Sequence, residues 1–294
     1  MMMDRPNRRL DMTETDLDFV VSEAAPEAQN KERLKELLLE DREFRKGLVG
    51  DEKVFQRVMT DEEIFLRISP ALYFEVLLRR AYIDLQAATH TVERAGRQSI
   101  PVFDAPEVVE LLSDPDVLEY LAQMLASFIR IQSYVIPVRV RPGLRRRVRY
   151  NDMDIDSLVR FTSTVDEEHR FGLYKRIADV CLFISGFFPE YAFFDYRYPA
   201  SGQIRPLTVG RIRRSLEDYE EEGRRFYGLA EEHEMARVLQ LTDVFAVLRE
   251  RFNHARKPLS FISAHYLHAR KQHSLAEKRP GRGSPTWLSA AASA

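Results

Sequence analysis

The chain has a single cysteine, Cys181, and a single tryptophan, Trp287. One thiol excludes an internal disulfide framework and any cysteine-rich zinc module. Cys181 falls in an apolar run, where a buried structural thiol is expected rather than a nucleophile. Long hydrophobic stretches are also missing. The longest uncharged apolar run, Val180 to Pro189, is about half of what a bilayer span requires. The opening residues, MMMDRPNRRLDM, contain no hydrophobic leader, so a soluble, cytoplasmic protein without membrane contact is expected. A phosphate-cradling glycine loop, a nucleophile elbow and a His-Glu-x-x-His helix are absent too. No catalytic residue, metal ligand or cofactor is assigned from these patterns.

Lysine is scarce: arginine outnumbers it 36 to 8. The net charge of -2 nevertheless argues against a globally basic nucleic-acid binder. Charge here is local. Six arginines fall between Arg139 and Arg149.

The hydrophobic fraction of 45% is ordinary for a folded protein, and most of the chain has helical period. The pattern predicts a mainly α-helical protein, a multi-helix bundle with one short basic β-hairpin and disordered termini. Residues 1–26 are polar and unpatterned. An N-terminal helical part follows over 27–132, the hairpin over 133–151, a C-terminal helical part over 152–270 and a basic tail over 271–294. One long helix is expected from Glu27 to Lys46, and short ones near 51–58 and 61–68, the second opened by a Thr60/Glu63 capping box. Ser69-Pro70 and Asp114-Pro115 each open a helix with a cap followed by proline at the first position. On the first of these, Glu75–Arg79 and Arg80–Asp84 form four-apart ion pairs along the flanks. Further helices are expected at 154–165, 166–187, 208–229, 232–252 and 258–268. Val180 to Ile184 is apolar all round, which marks a central core helix.

The hairpin segment, Tyr134 to Tyr150, reads YVIPVRVRPGLRRRVRY. β-branched residues alternate with arginine, and Pro142-Gly143 marks the turn. With Pro142, Gly143 and Leu144 as a three-residue loop, Arg139 opposes Arg147 and Arg141 opposes Arg145. Arg139, Arg141, Arg145, Arg147 and Arg149 then share one face. Ile136, Val138, Val140, Val148 and Tyr150 share the other, with Arg146 as the misfit. Like charges across a strand pair repel, so nearby acids, an acidic partner or a phosphate must offset them.

Other constellations are weaker. Asp152, Asp154 and Asp156 have the spacing that begins a calcium loop, but Ser157 and Ser163 stand where glycine and glutamate are needed. His265 and His268 are three apart without a supporting carboxylate, and Asp166-x-x-His169 lacks the second half of a di-iron motif. Asp179 sits beside the most apolar helix, where an arginine such as Arg176 is expected to neutralise it. With the aromatic passage that includes Tyr191, Tyr196 and Tyr198, Asp179 defines a candidate pocket for an apolar ligand.

Two segments, Ala178-Asp179-Val180-Cys181-Leu182-Phe183-Ile184-Ser185-Gly186-Phe187-Phe188 and Tyr219-x-x-x-Gly223-x-x-x-Tyr227, together resemble a pattern in uncharacterised bacterial all-helical proteins. The resemblance covers about residues 150 to 255 and implies a fold without an activity. Alanine stands before Asp179 where those proteins tend to have glycine. Gly186 and Gly223 read as points of close helix approach. The leading functional expectation is a non-enzymatic interaction or regulatory module with a protein partner. Nucleic-acid binding by the hairpin and a ligand pocket at Asp179 are the alternatives. Oligomeric state is not encoded in any of these features.

Overall fold

The computed structural model of the protein describes residues 12–95, 98–129, 133–141, 144–189 and 214–267. It is mainly α-helical with two short hairpins. No helix among the described residues is long and apolar enough to cross a membrane. Among those residues the chain forms two compact units. The first takes 12–92, 101–126 and 261–267; the second takes 93–100 and 127–260.

The first unit begins earlier than the polar composition of 1–26 suggests. Helix α1 spans Glu14–Ala24 and buries Leu17, Phe19, Val20 and Val21. Thr13 and Asp16 close a reciprocal capping box at its start. The long helix expected over 27–46 is instead two, α2 (Lys31–Glu40) and α3 (Arg42–Val49). Asp41 breaks them by turning its carboxylate onto the Glu43 and Phe44 amides, which makes it the cap of α3. Helix α4 covers Glu52–Thr60, and a single turn, α5, covers Ile64–Arg67. Thr60 ends α4, donating to the Gln56 carbonyl, rather than capping α5.

Helix α6, Pro70–Gln86, starts at Ser69 as the sequence predicts, with the Ser69 hydroxyl accepting from the Leu72 amide. Phe74, Leu77, Leu78, Ala81 and Leu85 are buried along it. It packs against α3, α4 and a helix the periodicity did not single out, α7 at Ala105–Ser113. Helix α8, Pro115–Ser127, is capped by Asp114 and buries Val117, Leu121, Met124 and Leu125. A second hairpin, β1 (Thr91–Ala95) with β2 (Gln98–Val102), also went unread.

In the second unit, β3 (Ser133–Arg141) and β4 (Leu144–Asn151) form the basic hairpin. Helix α9 (Ile155–Thr162) packs on β4 and on α10 (Phe171–Phe187). Helix α10 is the central element, with Val180 to Ile184 all buried. Helix α11, Leu216–Glu232, starts at a Ser215/Asp218 capping box and lies along α10. The helix expected over 232–252 is split into α12 (Glu234–Val238) and α13 (Thr242–Glu250). Gln240 is the cause: it takes a left-handed φ of 52°, and Leu241 donates back to the Ala236 carbonyl, a Schellman ending. Helix α14, Phe252–Ile262, starts before Pro258 and continues through it.

Two glycines set close helix approaches within the second unit. A Cβ on Gly223 would stand 2.3 Å from the Phe252 ring and 3.1 Å from Cys181 Cβ. A Cβ on Gly186 would stand 2.7 Å from Leu259 Cβ. Only a bare backbone fits at either point.

Candidate functional site

The hairpin is the first candidate. Its strands pair antiparallel, with Tyr134 opposite Tyr150, Ile136 opposite Val148, Pro137 opposite Arg147 and Arg139 opposite Arg145. This corrects the expected register: Arg139 faces Arg145 rather than Arg147, and Arg141 faces Leu144 rather than Arg145. An irregularity between Arg139 and Arg141 takes up the extra residue, Val140. The intervening Pro142 and Gly143 lie outside the described residues. A displacement of two residues keeps the alternation of a strand. Counted along this register, Arg139, Arg145, Arg147 and Arg149 stand at positions of one phase of the alternation, and Ile136, Val138, Arg146, Val148 and Tyr150 at positions of the other. Arg141 lies beyond the irregularity, where alternation no longer assigns it. No aspartate or glutamate occurs between Ser133 and Asn151.

The acids that follow the hairpin have partners. Asp152 accepts from Arg176 at 2.8 Å and Asp156 pairs with Arg214 at 2.8 Å, while Asp154 accepts from the Ser157 hydroxyl. Asp154 and Asp156 stand at the start of α9, while Asp152 and Asp156 make tertiary ion pairs. Among the described residues no group of His, Cys, Asp and Glu could hold a metal ion. His265 Nδ1 donates to the Phe261 carbonyl and its ring stacks on the Phe261 ring, and His169 is exposed beside Glu168. His268 lies outside the described residues.

Asp179 is fully buried, as its neighbours imply, but its partners differ from the expected one. Lys175 Nζ donates to Oδ2 at 2.7 Å and the Tyr227 hydroxyl donates to Oδ1 at 3.0 Å. Arg176 is drawn elsewhere, to the Asp152 carboxylate and carbonyl and the Ser127 hydroxyl, with its guanidinium 4.0 Å from the Phe128 ring centre. Asp179 thus ties α10 to α11. Cys181, two residues beyond Asp179, is buried, and burial raises its thiol well above the ordinary range, as expected of an inert core cysteine. The other candidate pocket residues, Tyr191, Tyr196 and Tyr198, lie outside the described residues.

Sequence reasoning missed the most concentrated charge in the first unit. Glu75, placed on a solvated flank by its four-residue spacing to Arg79, is fully buried. Arg45 of α3 donates to it through Nε (3.0 Å) and Nη2 (2.6 Å), and Arg79 through Nε (2.9 Å) and Nη2 (2.6 Å). Arg45 is 1% exposed. Burial pushes the Glu75 carboxyl up, but Arg79 and Arg45 together outweigh it and hold the group below the usual carboxylate range. Glu119 of α8 lies in the same surroundings at 4% exposure. Its Oε2 has no hydrogen-bond partner, and burial raises its carboxyl. No spacing rule reveals this cluster, because Arg45, Glu75 and Glu119 come from three helices.

Comparison with known protein families, with curated proteins and with solved structures finds no match to the chain. Its function must therefore be argued from the residues themselves.

Proposed function

We propose that the protein is a non-enzymatic interaction module that receives an acidic protein surface on the arginine side of the β3–β4 ribbon. One observation carries the reading: Arg139 stands opposite Arg145 in a ladder whose strands contain no acid. Guanidinium groups gathered at neighbouring positions repel one another and favour a carboxylate-rich surface that meets them bidentately. The buried carboxylates support a non-catalytic role, since Glu75 and Asp179 are each held by cationic partners.

The test is fluorescence anisotropy with a labelled polyglutamate peptide at low salt. Binding is expected to weaken with added salt and to fall at least about tenfold when Arg139, Arg145, Arg147 and Arg149 are all changed to glutamine. Unchanged affinity in that variant, or no binding by the parent protein, overturns the reading.

A second reading is nucleic-acid binding, favoured by the antiparallel two-stranded form of the basic segment, because a major groove admits a β-ribbon. It expects a labelled duplex to bind with a steep salt dependence that the same variant loses, while polyglutamate does not bind.

A further inference from the structure

In the first unit two buried glutamates, Glu75 and Glu119, lie beside two buried guanidinium groups, Arg45 and Arg79. The arginines are shared very unequally. Glu75 accepts four charge-assisted hydrogen bonds, two from each arginine, while Glu119 Oε2 accepts none and is sealed from water. A buried carboxylate oxygen without a donor is costly when ionised and far less so when protonated. The groups around Glu119 are Arg42 and Arg45 on α3, Glu75 and Arg79 on α6, and Asp116 on α8 itself. Arg42 is turned toward Asp116, which it meets at 2.9 Å. Asp16 of α1 also acts on Arg45.

We propose that Glu119 is a proton-binding site of the folded protein, and that loss of this proton makes Glu119 compete with Glu75 for Arg45 and Arg79. The cluster is then a pH-sensitive element linking α3, α6 and α8. With the proton in place, both arginines rest on Glu75, which ties α3 to α6. Without it, the second carboxylate needs a cation, and the arginines that act on it are already engaged, Arg45 and Arg79 by Glu75 and Arg42 by Asp116. The direction follows from burial raising the Glu119 carboxyl. Its contribution to stability is complete below the ordinary glutamate range and is lost as pH rises through the folded-state value.

The first test uses the parent protein labelled with 13C at the glutamate side-chain carboxyl carbon. One resonance is expected to titrate above all the others. If no glutamate titrates above the ordinary range, the proposal is overturned. The second test compares unfolding of the parent with Glu119→Gln, which mimics the protonated acid, from about pH 5 to about pH 8. The parent is expected to lose stability relative to the variant as pH rises. Parallel curves across that span would overturn the proposal as well. Should Glu119→Gln fail to fold, the carboxyl titration of the parent decides alone.

Discussion

The Cα of Gly223 lies so close under the Phe252 ring that a methyl group there would stand 2.3 Å from one ring carbon and 2.6 Å from the next. Both residues belong to the second unit, and Cys181 of α10 closes the same contact at 3.1 Å. The close approach of α11 to α14 depends on a missing side chain.

Gly223→Ala is accordingly expected to destabilise the protein by about 1–3 kcal/mol, through displacement of Phe252. Adding Phe252→Leu should recover part of the loss. Gly47 is the control: nothing lies within 4 Å of a Cβ there, and it sits inside α3. Gly47→Ala should stabilise by about 0.5–1 kcal/mol. Denaturant midpoints measure all three, and an unaffected Gly223→Ala variant would contradict the packing described.

Arg45→Met removes one side of a fully buried ion cluster and leaves Glu75 undercompensated. A loss of about 3–5 kcal/mol is expected. Replacing Arg45, Glu75 and Arg79 together by Met, Leu and Met should cost much less, because no charge is then stranded. Urea unfolding distinguishes the two variants. A triple variant as unstable as the single one would show that the cluster does more than pair its own charges.

The two buried glutamates of the first unit should drive stability in opposite directions with pH. Glu75 is held below the usual range, so its contribution is present at neutral pH and lost as the solution is acidified through its folded-state value. Glu119 acts in reverse. Substituting Glu75 by glutamine should therefore weaken the protein at neutral pH and flatten the acid limb of its stability curve. Thermal unfolding across the acid range checks this.

Tyr227→Phe deletes the hydroxyl that Asp179 accepts at 3.0 Å. A loss of about 1.5–3 kcal/mol is expected, as for a hydrogen bond to a charged group. Asp179→Asn should cost less than Asp179→Leu, because the amide can still accept from Tyr227. The reverse order would show that Lys175, not Tyr227, dominates the site.

Much of this architecture was legible. Ser69-Pro70 and Asp114-Pro115 announce helix starts in residue chemistry alone, and the all-round apolar stretch at Val180 to Ile184 announces the core. Gly186 and Gly223 could be read as points of close approach, although their partners could not. Helix α1 was hidden by polar flanks, yet Thr13 and Asp16 carry a capping signal and Leu17, Val20 and Val21 a helical spacing. The Thr91–Val102 hairpin was also obscured, its β-branched residues being broken up by Glu93, Arg94 and Arg97. Burial of Glu75 was beyond reach, because an i,i+4 ion pair looks the same on a wet surface and in a core. The hairpin register failed for a local reason, an irregularity that absorbs one residue without leaving a trace in the alternation of residue types.

Asp16 performs two duties at once. One carboxylate oxygen accepts from the Thr13 amide at the head of α1, and the other accepts from the Ser69 amide at the head of α6, fifty-three positions away. The beginning of the chain and its longest early helix are thereby stitched at a single side chain that is wholly buried. Trimming the protein to start at α2 would leave the Ser69 amide without that acceptor and uncover the aliphatic surface that α1 shields. A shortened version made for convenience should emerge sticky and poorly folded, however dispensable its opening residues look on paper.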